Sequence, residues 1–295
     1  MGQGYVMTRA LNAIGIRGSF WPALCIFLLA FCISGCASFK EVKAFAALSS
    51  KAASYDALTR DYVSALDRRK QYQPEKFHGE LEAQKMRREA QRASLDMLQQ
   101  TVTDYMQGLG NLASGNIHTY DKSFEEFSTN LSRATLLASE EKEAVGALST
   151  LLARAVTAGY RLYELRKLVR DANQPLQQVI QATQKIVEKG MIADLQVEAA
   201  LLGRYYDNIM YVPDNPLEPV AMALAREARA ESLGRVNTRI RSAQSYIIVL
   251  DKIADAHQYL YEHREKIGSN ELDKQFKPYV ADLRMAYRDL LDVSH

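Results

Sequence analysis

The chain has 295 residues, with 37 Lys and Arg against 35 Asp and Glu, a formal net charge of +2. Hydrophobic residues make up 47% and charged residues 24%, ordinary values for a folded globular chain, which excludes disorder, collagen and a polytopic membrane protein. A charge balance this close to zero also argues against a nucleic-acid binder, which needs a basic surplus.

Residues 1–35 carry Arg9 and Arg17 and no acid. The apolar run from Phe20 to Ile33 follows, with Pro22 near its start. It is shorter than the ~20 apolar residues of a transmembrane helix. A positive start, a short apolar core and small residues after it predict a secretory signal peptide over 1–35.

The run closes on Ile33-Ser34-Gly35-Cys36. This resembles the lipobox of bacterial lipoproteins: a branched apolar residue, two small residues and an obligatory cysteine. The resemblance covers the targeting segment alone. It implies cleavage between Gly35 and Cys36, diacylglyceryl transfer to the Cys36 thiol and acylation of the new amino terminus. Two or more acyl chains anchor stably where one does not, so the implied first partner is a membrane, held through lipidated Cys36. Ala37 and Ser38 stand where an inner-membrane retention Asp would be, so the resemblance implies the outer membrane, facing the periplasm. Met1-Gly2 is not a myristoylation start, because Val6 stands where Ser or Thr is needed.

Beyond residue 35 the charge is balanced at 35 basic and 35 acidic residues, and Cys36 is the only cysteine. Disulfides, CxxC redox chemistry, CxxCH haem attachment and cysteine zinc sites are excluded there. A short tether over 36–39 leads into a predicted helical-bundle domain over 40–295. No alternating β-branched runs with turn dipeptides interrupt it.

Punctuation divides this domain into about seven predicted helices. The first spans Lys40 to Gln71 and stops before Pro74. The second spans Gly79 to Gln107 and meets the glycine-rich stretch 108–116. The third spans Thr119 to Ala138. Ser139 is expected to cap a fourth, reaching Ala172, and Asn173 and Pro175 to open a fifth, reaching Tyr211. The proline-rich loop 212–219 is the strongest break and a possible sub-boundary. A sixth helix spans Val220 to Lys266, and a seventh starts at Ser269-Asn270 with Pro278 inside it.

Apolar residues at 3-4 spacing mark coiled-coil-like seams. The sixth helix carries Leu233, Val236, Ile240, Ala243, Ile247, Leu250, Ala254, His257 and Tyr261. The second carries Leu95, Leu98, Val102, Tyr105, Leu109 and Leu112, and the fourth Val145, Leu148, Leu152, Ala155, Gly159 and Leu162. The expected fold is all-α: an elongated, mostly antiparallel bundle. Counting passes in such a bundle puts the 212–219 loop at the end away from the membrane, beside the Pro74 turn.

No GxSxG, HExxH, P-loop or GxGxxG sequence is present. Glu75-Lys76-Phe77-His78 is a single Glu-x-x-His, where a di-iron bundle needs two. His257, near Asp255 and His263, reads as a core-edge histidine satisfied by a neighbouring tyrosine or carboxylate. Arg68-Arg69-Lys70 and Lys85-Met86-Arg87-Arg88 read as a solvated face with local ion pairs. The terminal residue is His295, where murein-linked lipoproteins carry a lysine.

Tyr205, Tyr206 and Tyr211, with Pro213, Asp214, Asn215 and Pro216 of the adjoining loop, form the candidate contact surface for a protein partner. Tyrosine joins a large apolar ring to a polar tip and is enriched at interfaces. The expectation is a non-enzymatic envelope scaffold, adaptor or binding partner, with an accessory or immunity role as one form of it. No metal, cofactor, nucleic acid or small-molecule ligand is expected. The alternative is a helical-bundle enzyme or metal-binding protein whose site is built from scattered residues.

Overall fold

The computed structural model describes residues 38–115, 137–155, 161–212 and 217–294. The expected signal segment with Gly35 and Cys36, residues 119–136 of the predicted third helix, and Pro213, Asp214, Asn215 and Pro216 lie outside the described residues. Residues from Ser38 onward form one compact unit. It is all-α, and its one β feature among the described residues is an isolated bridge between Ser38 and Gly268.

The helices are α1 (Lys40–Ala53), α2 (Ala57–Lys70), α3 (His78–Ser114), α4 (Ser139–Ala155), α5 (Arg161–Ile186), α6 (Ala193–Met210), α7 (Pro219–Glu262) and α8 (Asn270–Ser294). None of those described is long and apolar enough to cross a membrane.

The chain enters at the end where α7 turns into α8. The Ser38 N–H donates to the Gly268 carbonyl at 3.0 Å, and the Ser38 hydroxyl donates to Asp273. Gly268 sits at φ +93, a left-handed turn that favours glycine. At this same end the Arg161 guanidinium lies 4.4 Å over the Phe39 ring. It also donates to the Leu112 and Ala113 carbonyls, satisfying the last turn of α3. From this entry end α1 and α2 run out to the Pro74 turn, and α3 returns. Next, α5 and α6 run out to Met210, α7 returns, and α8 runs out again. α7 alone, at 44 residues, is about 66 Å long. The arrangement is the expected elongated, mostly antiparallel bundle, and Pro74, Tyr211 and Pro219 lie toward one end.

Several helix boundaries differ from expectation. The predicted first helix breaks at Ser54–Asp56 into α1 and α2. The Tyr246 hydroxyl donates to the Ala53 carbonyl at 2.9 Å and the Gln99 amide to the Tyr55 carbonyl at 3.1 Å. These long-range donors satisfy groups that a continuous helix would have bonded internally.

The glycines after Gln107 do not stop α3, which runs on to Ser114 and ends at Gly115, φ +75. A Cβ on Gly108 would lie 2.4 Å from Leu152 Cδ2, and one on Gly110 would lie 3.3 Å from Ala46 Cβ. The glycines admit α4 and α1 at close range.

The predicted fourth helix through Ala172 is two helices, α4 and α5, packed against each other. α5 continues through Asn173 and Pro175 with no new start. Its buried stripe Leu165, Leu168, Val169, Ala172, Leu176, Val179 and Ile180 outweighs the hydrogen bond that proline removes. Ser139 is the first helical residue and not the cap. The Ala138 N–H is instead met by the Glu141 carboxylate at 2.8 Å, half of a capping box. α8, likewise, starts at Asn270 and passes through Pro278.

A six-residue π segment, Val187–Ile192, joins α5 to α6. Buried Thr183, Val187, Met191 and Leu195 follow one another at steps of four. A 3.6-residue helix would rotate ~120° out of line over those twelve residues. The wider turn absorbs that rotation, so α6 continues to face the body.

The α3 seam is buried throughout. On α7 the predicted positions Val236, Ala243, Leu250 and His257 are buried, but Ile240, Ile247, Ala254 and Tyr261 are half-buried flanks. Tyr246, Ile253 and Leu260 complete the inner line. α5 and α8 both pack on α7, which widens its buried stripe beyond a two-helix seam.

Candidate functional site

The outer part of the body is fastened by ion pairs. Arg68 Nε lies 2.9 Å from Glu198 Oε1, and its terminal nitrogens reach Glu198 Oε2 at 3.1 Å and Asp61 at 2.8 Å. Asp61 also receives Arg239 at 3.2 Å. Asp194 receives Arg69 and Arg88. The set joins α2, α3, α6 and α7, and Glu198 is only 1% exposed. The predicted solvated basic face is therefore wrong for Arg68, Arg69 and Arg88, which turn inward onto acids of α2 and α6.

Burial works to lower the Arg68 pKa, yet Glu198 and Asp61 more than offset it and hold it above its usual value. Burial raises the neighbouring Tyr62 hydroxyl. The Arg88 guanidinium stands 4.7 Å over the Tyr62 ring.

A pocket of about 180 Å³ opens beside this set, lined by Tyr55, Asp61, Tyr62, Asp194, Arg239 and Ser242 among others. Most of its polar groups are engaged: Tyr55 bonds Ser242 at 2.9 Å, and the acids face arginines, although the second oxygen of Asp194 is buried without a hydrogen bond. Arginine does not give up its proton at neutral pH. The arrangement is a fastener between helices; it pairs no nucleophile with a base. Sequence reasoning missed Glu198, although its place in the buried row Leu195, Glu198, Leu202 was the available signal.

His257 is fully buried, deeper than the core edge expected of it, and is met by tyrosine as expected. Its Nε2 lies 2.6 Å from the Tyr105 hydroxyl and its Nδ1 3.0 Å from Asn173 Oδ1. The Asn173 amide donates to Gln258 at 2.8 Å, and Gln258 donates to Glu262 at 2.8 Å. Since Asn173 Oδ1 only accepts, Nδ1 carries the proton, Nε2 accepts, and Tyr105 donates. One hydrogen-bond chain thus runs outward from the core across α3, α7 and α5. Burial lowers the His257 pKa to about 3, so the ring is neutral. Asp255 and His263 are not part of the chain.

The predicted tyrosine cluster divides. Tyr72 meets Tyr205 edge to face at 5.7 Å, and Tyr205 meets Tyr206 at 5.4 Å. Tyr206 packs on a small separate core of Leu195, Leu202 and Val236. Tyr211 is 67% exposed, and Val212 after it and Val220 and Leu224 in the first turns of α7 are exposed too. An open groove of about 580 Å³ runs along this end, lined by Tyr72, Pro74, Phe77, Leu201, Arg204 and Tyr205 among others. Tyr205 and Tyr206 therefore join the Pro74 turn to α6, and Tyr211 stands outward.

The Glu-x-x-His stretch forms a short 3-10 turn, Glu75–Phe77, before α3. His78 Nε2 lies 3.1 Å from both the Lys70 and Gln73 carbonyls, closing the turn after α2. Among the described residues no three His, Cys, Asp or Glu side chains gather as a metal site. No protein-family model, no curated protein and no solved structure matches the chain.

Proposed function

We propose that the chain is a bacterial outer-membrane lipoprotein, anchored through Cys36, whose helical body serves as a non-enzymatic scaffold or adaptor for a protein partner in the envelope. The observation that carries this reading is the separation of its two ends. Residue 38, two positions after the lipobox cysteine, is pinned beside Gly268 at one end of α7. Exposed Tyr211, Val220 and Leu224 cluster at the other, about 66 Å away along α7. Anchoring at the first would present the second to a partner. Solitary exposed apolar residues are ordinary, whereas a cluster at one tip marks a contact surface.

Two measurements test this. Cys36→Ser is expected to leave an unprocessed precursor that takes up no fatty-acid analogue; normal labelling of that variant refutes the anchor. Tyr211→Ser with Leu224→Ser is expected to leave export and melting temperature unchanged while cross-linking of the partner falls. Undiminished cross-linking refutes the tip as the contact.

A further inference from the structure

We propose that a basic pocket at the entry end docks on anionic phospholipid head groups as a second membrane contact. This deepens the reading of a Cys36-anchored protein and rests on it. Arg166, Lys167 and Arg170 from the first turns of α5 meet Arg264 of the α7–α8 turn around an open pocket of about 360 Å³, with Tyr163 on its wall. Two acids stand against these four cations: Glu265 lies 3.7 Å from both Arg166 and Arg264, and Asp171 lies 2.7 Å from Arg170. The local balance is two positive charges in excess. Among the described residues the Lys167 side chain, which is exposed, has no ion pair or hydrogen bond. Arg166 is held in place from behind, donating to the Glu265 and Ile267 carbonyls.

Position gives the pocket its meaning. Ile267 adjoins Gly268, the residue on which Ser38 is pinned, so the cations gather where a chain anchored at Cys36 meets the membrane surface. Lys167 and Arg170 lie six and nine residues into α5, about 9 and 14 Å along its axis from Arg161. That is one to two Debye lengths at physiological salt, so a surface potential pulls on these cations only in part there and more strongly as salt is lowered. Tyr163, 59% exposed, has the amphipathic ring favoured at head-group level. Phosphodiesters suit such a site, since a guanidinium meets phosphate oxygens in a fork and an ammonium as a point charge. Basic side chains near an anionic surface each strengthen its binding about fivefold.

The test uses the mature lipidated protein with Tyr163→Trp as a reporter, in vesicles of phosphatidylcholine alone or with phosphatidylglycerol. Trp21 lies within residues 1–35, so after processing the reporter is the only tryptophan. Docking is expected to blue-shift its emission in the anionic vesicles alone, and high salt to reverse the shift. At low ionic strength Lys167→Gln is expected to weaken docking up to about fivefold, and Lys167→Gln with Arg170→Gln further still. No shift in anionic vesicles, a salt-insensitive shift, or full docking by the double variant overturns the proposal. Reversal by inorganic phosphate, but not by chloride at equal ionic strength, overturns the lipid as the ligand. Intact mass reports processing and acylation of Cys36 separately. A salt-reversible shift in an unacylated protein keeps the pocket and sinks the anchor, and an acylated protein without the shift does the reverse.

Discussion

Acid should weaken this fold through His257 in a way that a single substitution isolates. The ring is fully buried, and burial brings its pKa from 6.5 down to about 3. Below about pH 6.5 the unfolded chain takes up a proton that the folded chain refuses. The stabilisation is therefore complete above pH 6.5 and is lost as pH falls from there toward 3. Linkage sets the slope at about 1.4 kcal/mol per pH unit, so roughly 2 kcal/mol is gone by pH 5. Geometry agrees, because a protonated ring would donate from Nε2 toward a tyrosine hydroxyl that is itself donating. His257→Gln keeps an acceptor and a donor but does not titrate. It should cost about 1–2 kcal/mol at pH 7, through poorer bonds, and then lose less than the native protein on acidification. Urea unfolding at pH 7 and pH 5, followed by helical circular dichroism, gives the comparison. The gap between the two proteins should close by about 2 kcal/mol. Parallel behaviour would show that His257 does not carry the acid sensitivity.

The ion-paired fastener predicts an asymmetry. Glu198→Ala leaves Arg68 with Asp61 as its one acid partner among the described residues and should cost about 3 kcal/mol, whereas Arg68→Met with Glu198→Leu should cost far less, as read by urea midpoints. Leu250→Asp sets a carboxyl at a position 1% exposed and should lower stability by about 3–5 kcal/mol. An unchanged melting temperature would remove that residue from the core. Gly108→Val drives a branched side chain against Leu152 and should cost about 2 kcal/mol, with the melting temperature as the measure.

Much of this architecture was legible because the sequence pattern behind it is periodic and local. The α3 line from Leu95 to Leu112 is buried as its spacing implied, and α7 starts and turns close to its proline and glycine signals. What sequence reading missed depends on partners far along the chain. Ser54–Asp56 breaks because Tyr246 and Gln99 arrive there, some 190 and 44 residues away. Gly108 and Pro175 look like stops, but neighbouring helices hold both inside helices. Arg68 and Arg69 look solvated until α6 supplies Glu198 and Asp194. A run of like charges carries no information about which acids will face it. The exposed tip was legible as a proline-rich break, and Tyr211 stands free there, while Tyr205 and Tyr206 were drawn into packing by Tyr72.

The hydrophobic core is unevenly distributed, and this has a mechanical consequence. Most buried apolar residues belong to one cluster, from Phe39 to Leu290, that holds the entry end and middle of the body. The hairpin of α6 and α7 near its turn rests on Leu195, Leu202 and Val236, and α7 buries no residue before Ser232. Cooperative units with little buried apolar surface open at the lowest free energy. The outer hairpin is thus the part that can exchange its amides, or yield to a pull, while the rest of the molecule stays closed. Load applied at the tip would be relieved by local opening before it reached the helices around Ser38.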